Sequence, residues 1–340
     1  QGNPSKRELI NPGRRFAGLI PFSTLPPPAL PCPAMLAAFL STIFISISVI
    51  CANQSAKLIG GSEANFWRLT CATGFLAIWA YVFGKGLSSE AFPIFFLSGI
   101  IGIGIGDVAV FQTLPRLGSR LTLLLVQCLT APFAAAIERV WLGTILTPAQ
   151  MICGATILIG IGISLMPGRH LNLSRKDIVP GVLFSLIAAL GGAYGAVLSR
   201  KAYAMLHEHG DNLDGGTAAF QRVLGGLLFG GISLLLVKWR AIKQHLTFSN
   251  GSAALPSREK WRRVWPWILA NGLAGQTFGV SCYLWAFQTT PTGIVLPIVA
   301  TTPLIAIPFS MAIEKERPSR HSIIGGVIAV VGVIALSFYK

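Results

Sequence analysis

Two stretches of this chain, FLSTIFISISVICANQSAK (residues 39–57) and LFSLIAALGGAYGAVLSRK (residues 183–201), resemble each other and indicate an internal repeat. Aligned without gaps, they place Ser55 opposite Ser199. An internal repeat of this kind decides the architecture of the whole chain. One such match is weak evidence, but it gains weight if others follow in the same order.

Further matches do follow in the same order along the chain: 65–69 with 219–223, and 131–154 with 302–325. They place Arg68 opposite Arg222 and Pro132 opposite Pro303. The shared order of several short matches predicts that the chain consists of two related units.

The composition indicates a membrane protein. Of the 340 residues, 53% are hydrophobic and only 11% are charged, whereas soluble domains are usually about 25% charged. A run of about 20 apolar residues is long enough to cross a bilayer as a helix. Ten such runs are present: 35–53, 64–84, 91–112, 119–140, 148–166, 179–199, 217–237, 265–287, 292–312 and 321–338.

Ten spans divided between two units give five helices per unit. Because five is odd, the second unit crosses the membrane in the opposite sense to the first. The predicted fold is therefore an all-α integral membrane protein with ten transmembrane helices in two inverted-topology repeats, residues 35–168 and 178–340. Residues 1–34 are proline-rich and predicted to be a disordered tail. Met35, which opens the first apolar run, is a hypothetical natural start.

The net charge of +15 does not indicate nucleic-acid binding, because the basic residues lie in short segments between the apolar runs. Loop charges of this kind orient helices and contact anionic lipid headgroups. The count of Lys and Arg in alternate loops would put both termini outside, whereas the family resemblance described below would put both in the cytoplasm, so the orientation is left open.

The stretch GIIGIGIGDVAVFQ (residues 99–112) contains the GxGD sequence found in intramembrane aspartyl proteases. Aspartyl catalysis requires two carboxylates close enough to share a proton. No aspartate precedes Asp107, and the later aspartates lie in predicted loops. The glycines are better explained as small residues that allow close helix packing in lipid. Asp107 is then an intramembrane acid of a different kind.

Ionisable residues inside the membrane are costly, and they are functional candidates by default. Asp107 and Glu138 are the deepest predicted carboxylates, with polar locks between helices as the alternative. The predicted substrate-binding or coupling residues are Asp107, Glu138, Gln127, Gln276, Tyr283 and Trp285. The predicted gating or structural residues are Arg68, Arg222, Pro132 and Pro303.

The sequence resembles the EamA-type branch of the drug/metabolite transporter superfamily over nearly all of residues 35–340. The resemblance is carried by FWRLTCATGFL and FQRVLGGLLFG, by GIGDVAVFQTLPRLGSRLTLLL, and by the endings LGTILTPAQMICGATILIGIGI and EKERPSRHSIIGGVIAVVGVIAL. It implies ten helices and the export or exchange of small metabolites, often amino acids or related compounds.

The preferred hypothesis is a secondary transporter that works by alternating access, without ATP, since no Walker-type sequence is present. The predicted partners are a small-molecule substrate and membrane lipid, with a proton as a candidate coupling ion and a monomer or homodimer as the assembly. No cofactor or metal site is predicted, and the expected location is the plasma (inner) membrane. The alternatives are an intramembrane enzyme, such as a lipid-headgroup transferase or protease, and a membrane scaffold.

Overall fold

The computed structural model describes residues 32–165, 175–247, 258–302, 304–306 and 320–338, and their secondary structure is helical. Each of the ten predicted spans lies in helix over most of its described residues, which confirms the predicted fold class. The predicted tail up to residue 31 and Pro303 lie outside the described residues. The helices are α1 Cys32–Ile59, α2 Gly61–Val82, α3 Phe92–Gly99, α4 Gly106–Leu142, α5 Pro148–Leu165, α6 Arg175–Glu208, α7 Gly215–Thr247, α8 Arg258–Asn271, α9 Val280–Phe287, α10 Thr292–Val299 and α11 Arg320–Phe338.

Two π-helical segments join neighbouring helices. The first π segment, Ile100–Ile105, joins α3 to α4, and the second π segment, Gly272–Gly279, joins α8 to α9. Short π-helical segments of this kind are rare and occur frequently at functional sites.

The third and fourth predicted spans lie in one continuous run of helical residues, but the chain reverses its direction between them. A Cβ atom at Gly181, near the start of α6, would lie 2.5 Å from Leu117, whereas one at Gly192 would lie 3.4 Å from Thr130. Farther along α4, the ring of Trp141 packs on that of Tyr194, with centroids 5.7 Å apart. The first part of α4 is therefore antiparallel to α6 and the last part is parallel to it, so two spans are present where the sequence predicts two.

The distribution of polar and apolar residues suits a lipid environment. By length and composition, five described segments could cross a membrane: Pro33–Ile59, Phe92–Thr113, Leu125–Leu142, Ile178–Glu208 and Gly215–Trp239. Many large apolar side chains are exposed, among them Ile78, Val140 and Leu235, whereas Ser41, Ser185 and Ser199 are fully buried. An apolar outer surface around small polar residues is the expected arrangement for helices packed in lipid.

The equivalent helices α2 and α7 lie side by side and run antiparallel. Lys85, just after α2, pairs with Asp211, just before α7. At the other end, Glu63 in the first turn of α2 pairs with Lys238 near the end of α7, at 3.2 Å. The end of each helix therefore meets the start of the other, as expected for two repeats of opposite orientation.

The final helices of the two repeats, α5 and α11, are also antiparallel. Gly160 lies against the backbone of Gly325 and Ala329, while Gly332 lies against Ile157, earlier in α5. The remaining helices exchange partners between repeats: α1 packs on α8 and α9, and α6 packs on α3 and α4. Together these contacts confirm an inverted duplication.

The two π segments occupy equivalent positions and fix the register of the repeat. A Cβ atom at Gly99 would overlap the carbonyl oxygen of Arg222, and one at Gly272 would lie 3.0 Å from that of Arg68. Gly99 is therefore equivalent to Gly272. The glycines repeat with identical spacing in both halves, at 99, 102 and 106 and at 272, 275 and 279. In this register the equivalent of Asp107 is Val280.

We expect Gly99→Ala to destabilise the protein by about 1–3 kcal/mol, because the added methyl group has no room beside the carbonyl of α7. Gly74→Ala is the matched control, since a Cβ atom at Gly74 has no neighbour within 4 Å. Thermal unfolding of the purified variants in one detergent measures both. Equal midpoints for the two variants would contradict the close contact.

The antiparallel contact of α2 and α7 predicts a specific pattern of cross-links. In a cysteine-free background, Glu63→Cys with Lys238→Cys and Lys85→Cys with Asp211→Cys should each cross-link with a short bis-maleimide, because each pair forms an ion pair in the structure. Glu63→Cys with Asp211→Cys should not, because these residues lie at opposite ends of the contact. Intramolecular cross-links are read from gel mobility after loop cleavage, and a link in the third pair would refute the arrangement.

Candidate functional site

Asp107 is held by Arg68 at the interface of the two repeats. Asp107 lies in the first turn of α4, directly after the first π segment, and its Oδ2 accepts a hydrogen bond from Arg68 Nη2. Arg68 Nε donates to Asn65 Oδ1 at 2.7 Å, which orients the guanidinium from within α2. The carboxylate of Asp107 is thus paired with a cation, not with the second carboxylate that aspartyl protease chemistry requires.

Arg222 occupies the equivalent position in the second repeat, but it has a different environment. Both arginines are the eighth residue of their helices, α2 and α7. The side chain of Arg222 is 5% exposed, and its Nε and Nη1 atoms have no hydrogen-bond partner among the described residues. Its guanidinium carbon lies 5.7 Å from the centroid of the Tyr283 ring. A cation over an aromatic face is attracted by the ring quadrupole.

Two glycines make room for the guanidinium of Arg222. A Cβ atom at Gly102, in the first π segment, would lie 2.7 Å from Arg222 Nη2, and one at Gly195, in α6, would lie 3.1 Å from it. The first π segment, α6 and α7 therefore converge on this charge without a side chain in between. We call the space formed by Gly102, Gly195 and Tyr283 the Arg222 niche.

The two arginines differ because, among the described residues, only one carboxylate lies close to them. Asp107 pairs with Arg68, and the residue equivalent to Asp107 is the apolar Val280. Asp107 is also close enough to Arg222 for their charges to interact, although no ion pair between them forms. The two repeats therefore place an arginine at equivalent positions, but only the first repeat places a carboxylate beside it.

Glu138 lies in a separate, fully bonded cluster. It is 2% exposed, and its Oε2 accepts hydrogen bonds from the backbone N–H of Thr292, at 2.7 Å, and from the Thr292 hydroxyl. Thr292 begins α10, so the carboxylate lies at the positive end of a helix dipole. Arg200 Nε lies 3.9 Å from Glu138 Oε1. These contacts favour the polar lock, which the sequence left as the alternative for Glu138.

Arg200 completes this cluster, and it was missed by the sequence analysis. Its Nη1 donates to the carbonyl oxygens of Phe287, at 2.6 Å, and Gln288, at 2.8 Å, at the end of α9. The predicted sixth span ended at residue 199, which placed Arg200 in a loop. The Arg that follows Ser199 in the repeat match was the available signal.

The other predicted site residues are dispersed. Gln276 is buried in the second π segment and its Oε1 has no partner among the described residues. Tyr283 packs on Arg222 and on Phe287, whose ring centroid is 4.4 Å away. Of the rest, Gln127 is half-buried, Trp285 is 42% exposed and Pro132 is exposed on α4, which it does not interrupt. The structure thus brings together Arg68, Asp107, Arg222 and Tyr283.

A cleft of about 430 Å³ lies away from these residues, lined by Trp67, Trp261, Arg262 and Trp265. The three tryptophan rings pack edge to face, with centroids 5.4 to 6.3 Å apart. None of the predicted cavity residues lines this cleft. At the repeat interface, Arg222 is enclosed by helices in this conformation, whereas the side chain of Asp107 is partly exposed.

The profile of the EamA-like transporter family matches residues 33–166 and again residues 179–338, which together make up most of the chain. The chain belongs to the EamA-like transporter family. Each match covers one of the two repeats, so this EamA protein contains two EamA domains. It is a multi-pass integral membrane transporter and not an enzyme, which removes the alternative of an intramembrane transferase or protease.

A solved crystal structure shows a similar fold. It aligns with a TM-score of 0.66 and 16% sequence identity, over 90% of this chain and 96% of that chain. At this identity the likeness shows the fold alone. Among curated proteins, no sequence matches this EamA protein significantly.

We expect Glu138→Gln to lower the stability of this EamA protein by about 3 kcal/mol, because it leaves Arg200 buried without its counter-charge. Arg139→Gln, at the exposed neighbouring position, should change stability by less than about 0.5 kcal/mol. Thermal midpoints in detergent measure the difference. If both variants unfold together, Glu138 does not hold the α9–α10 junction.

Proposed function

We propose that this EamA protein is a secondary transporter that exports or exchanges a small organic metabolite, such as an amino acid or a related compound, across the plasma (inner) membrane. The proposal rests chiefly on the ionisable residues enclosed between two inverted repeats. Transporters of this architecture bind substrate near the bilayer midplane, between the repeats, and expose it alternately to the two sides.

Asp107 is proposed as the central acid of the site. It follows the first π segment, it is bonded to Arg68, and its side chain retains 27% of its surface exposed. The carboxylate is partly accessible and lies near the positive charges of both Arg68 and Arg222. Such a carboxylate can exchange its bond with Arg68 for one with a substrate ammonium group or for a proton. This is why a proton is retained as a candidate coupling ion.

The remaining predicted residues take different parts in this proposal. Tyr283 and Gln276 lie on the α9 side of the repeat interface, and Gln276 offers an unpartnered carbonyl oxygen. Glu138 is proposed to position the α9–α10 junction, since its contacts are already satisfied within the protein. Gln127 and Trp285 remain predicted contributors. The assembly is proposed to be a monomer or a homodimer.

The proposal is tested by counterflow of radiolabelled amino acids into proteoliposomes. We expect Asp107→Asn to reduce the initial rate by about tenfold or more, since a hydrogen bond to a charged group contributes about 1.5–3 kcal/mol. Asp211→Asn is the matched control, because Asp211 pairs with Lys85 in a loop between helices, where this ammonium lowers the pKa of Asp211.

Two results would count against the proposal. A variant carrying both Asp107→Asn and Glu138→Gln that exchanges solute at the rate of the unmodified protein would remove the site assignment. Exchange of no compound by well-folded protein, across amino acids, nucleosides and sugars, would remove the transport assignment for these solutes.

A further inference from the structure

The cleft lined by Trp67, Trp261, Arg262 and Trp265, which we call the tryptophan cleft, lies between the two repeats. Trp67 is on α2 in the first repeat, and the other three residues are on α8 in the second. Its volume of about 430 Å³ is within the range of small-molecule binding sites. The cleft therefore has room for part of a ligand, and none of the residues assigned to the proposed function lines it.

The tryptophan cleft lies at the depth where α2 and α8 enter the membrane. The predicted spans that contain these helices begin at residues 64 and 265. Trp67 is therefore in the first turn of one span, and Trp265 is the first residue of the other. Arg262 comes three residues earlier, about 4.5 Å closer to water along the helix, and this spacing places it on the same helix face as Trp265. Tryptophan rings at this depth pack on the first part of the acyl chains, while arginine charges lie among the headgroups.

Arg262 is exposed and has no ion pair among the described residues. Glu259, one turn earlier in α8, is paired with Arg263 at 3.0 Å. From residue 238 to residue 263 the chain carries seven lysines and arginines and a single acid, which is Glu259. Clustered basic residues beside a membrane span attract anionic lipid headgroups. The charge at the mouth of the tryptophan cleft is therefore complementary to a phosphate group.

Trp67 adds an unsatisfied hydrogen-bond donor to the tryptophan cleft. Its Nε1 is buried and has no hydrogen-bond partner among the described residues. Buried donors without a partner are rare in native proteins and are costly. The ester carbonyl oxygens of a phospholipid lie between its phosphate and its acyl chains, at the depth of this ring. One phospholipid thus offers an acyl chain to the rings, an acceptor to the indole and a phosphate to the arginine.

We infer that the tryptophan cleft binds one anionic phospholipid, such as phosphatidylglycerol, with its phosphate on Arg262 and an acyl chain along the tryptophan rings. A choline headgroup is disfavoured: aromatic rings attract a quaternary ammonium, but Arg262 repels it from the same cleft. The bound lipid would join α2 to α8 and so bridge the two repeats. This site goes beyond the proposed function and does not depend on which solute is transported.

Binding is measured by native mass spectrometry of the purified, delipidated full-length protein in detergent. The probes are phosphatidylglycerol and phosphatidylcholine with identical acyl chains. We expect one phosphatidylglycerol to bind about tenfold more tightly than phosphatidylcholine, because only the first leaves the charge of Arg262 with an uncompensated anion. Added inorganic phosphate should not displace the lipid, since it offers nothing to the tryptophan rings.

Three results of this experiment would overturn the inference. Equal affinities for the two lipids would show annular lipid without headgroup recognition. Tighter binding of phosphatidylcholine would show an aromatic choline site. Displacement of phosphatidylglycerol by inorganic phosphate would show a site for a soluble anion.

Two adjacent arginines separate a specific site from general attraction to a basic surface. Arg262→Gln should weaken phosphatidylglycerol binding by about tenfold, to the level of phosphatidylcholine. Arg263→Gln is the matched control: it removes the same charge from the same turn, but Arg263 is paired with Glu259 and does not line the cleft. It should weaken binding by less than about threefold. Both side chains are exposed, so an unchanged thermal midpoint is expected for each. Equal losses in the two variants would refute the site.

The tryptophan rings are tested separately from the charge. Trp265→Ala should weaken the binding of both lipids, because either acyl chain loses its contact with this ring. Trp239→Ala is the control, since Trp239 is an exposed tryptophan of α7 that does not line the cleft. Undiminished phosphatidylglycerol binding by Trp265→Ala, or an equal loss in Trp239→Ala, would place the lipid elsewhere and refute the assignment.

Discussion

The close backbone contact between helices of opposite repeats is the constraint on which the rest of this structure depends. In lipid, helices gain little from burying apolar surface, so their association needs small residues that permit close van der Waals packing. Gly99 brings the first π segment against the backbone of α7 at Arg222, and Gly272 brings the second against α2 at Arg68. These two contacts therefore place both arginines at the interface between the repeats, away from lipid.

The sequence predicted the features that the bilayer and the duplication impose. Long apolar runs and ordered local matches identify ten spans and two inverted units, because these patterns are carried by many residues. Which charged side chains pair with each other depends instead on single contacts between helices that are far apart in the sequence. Arg68 and Asp107 lie 39 residues apart on different helices, so their pairing had no local signal. The register of the repeat follows from the glycines at 99, 102 and 106, whose spacing recurs at 272, 275 and 279. The local sequence matches between the two halves did not use this spacing.

The two intramembrane carboxylates show how burial alone fails to assign a role. Glu138 is the more buried, but the start of α10 and Arg200 already satisfy it, and Arg200 in turn binds the end of α9. An anion at a helix start and a cation at a helix end both complement the helix dipole, so this pair fixes the α9–α10 junction. Asp107 has fewer protein partners and more exposed surface. Availability for a ligand therefore follows from unsatisfied bonding, which only the structure reveals.

The two repeats share one backbone arrangement but carry different charges, and this difference affects alternating access. In an inverted repeat, the outward-facing and inward-facing states are related by exchanging the conformations of the two repeats. If both repeats carried the same side chains, the two empty states would have nearly equal free energies. The Arg68–Asp107 pair has no counterpart at Arg222, so the empty states differ. A ligand shifts such an equilibrium by its difference in affinity for the two states, so a substrate acts here on two states that are already unequal. The charges that are not duplicated therefore decide which empty state the protein favours.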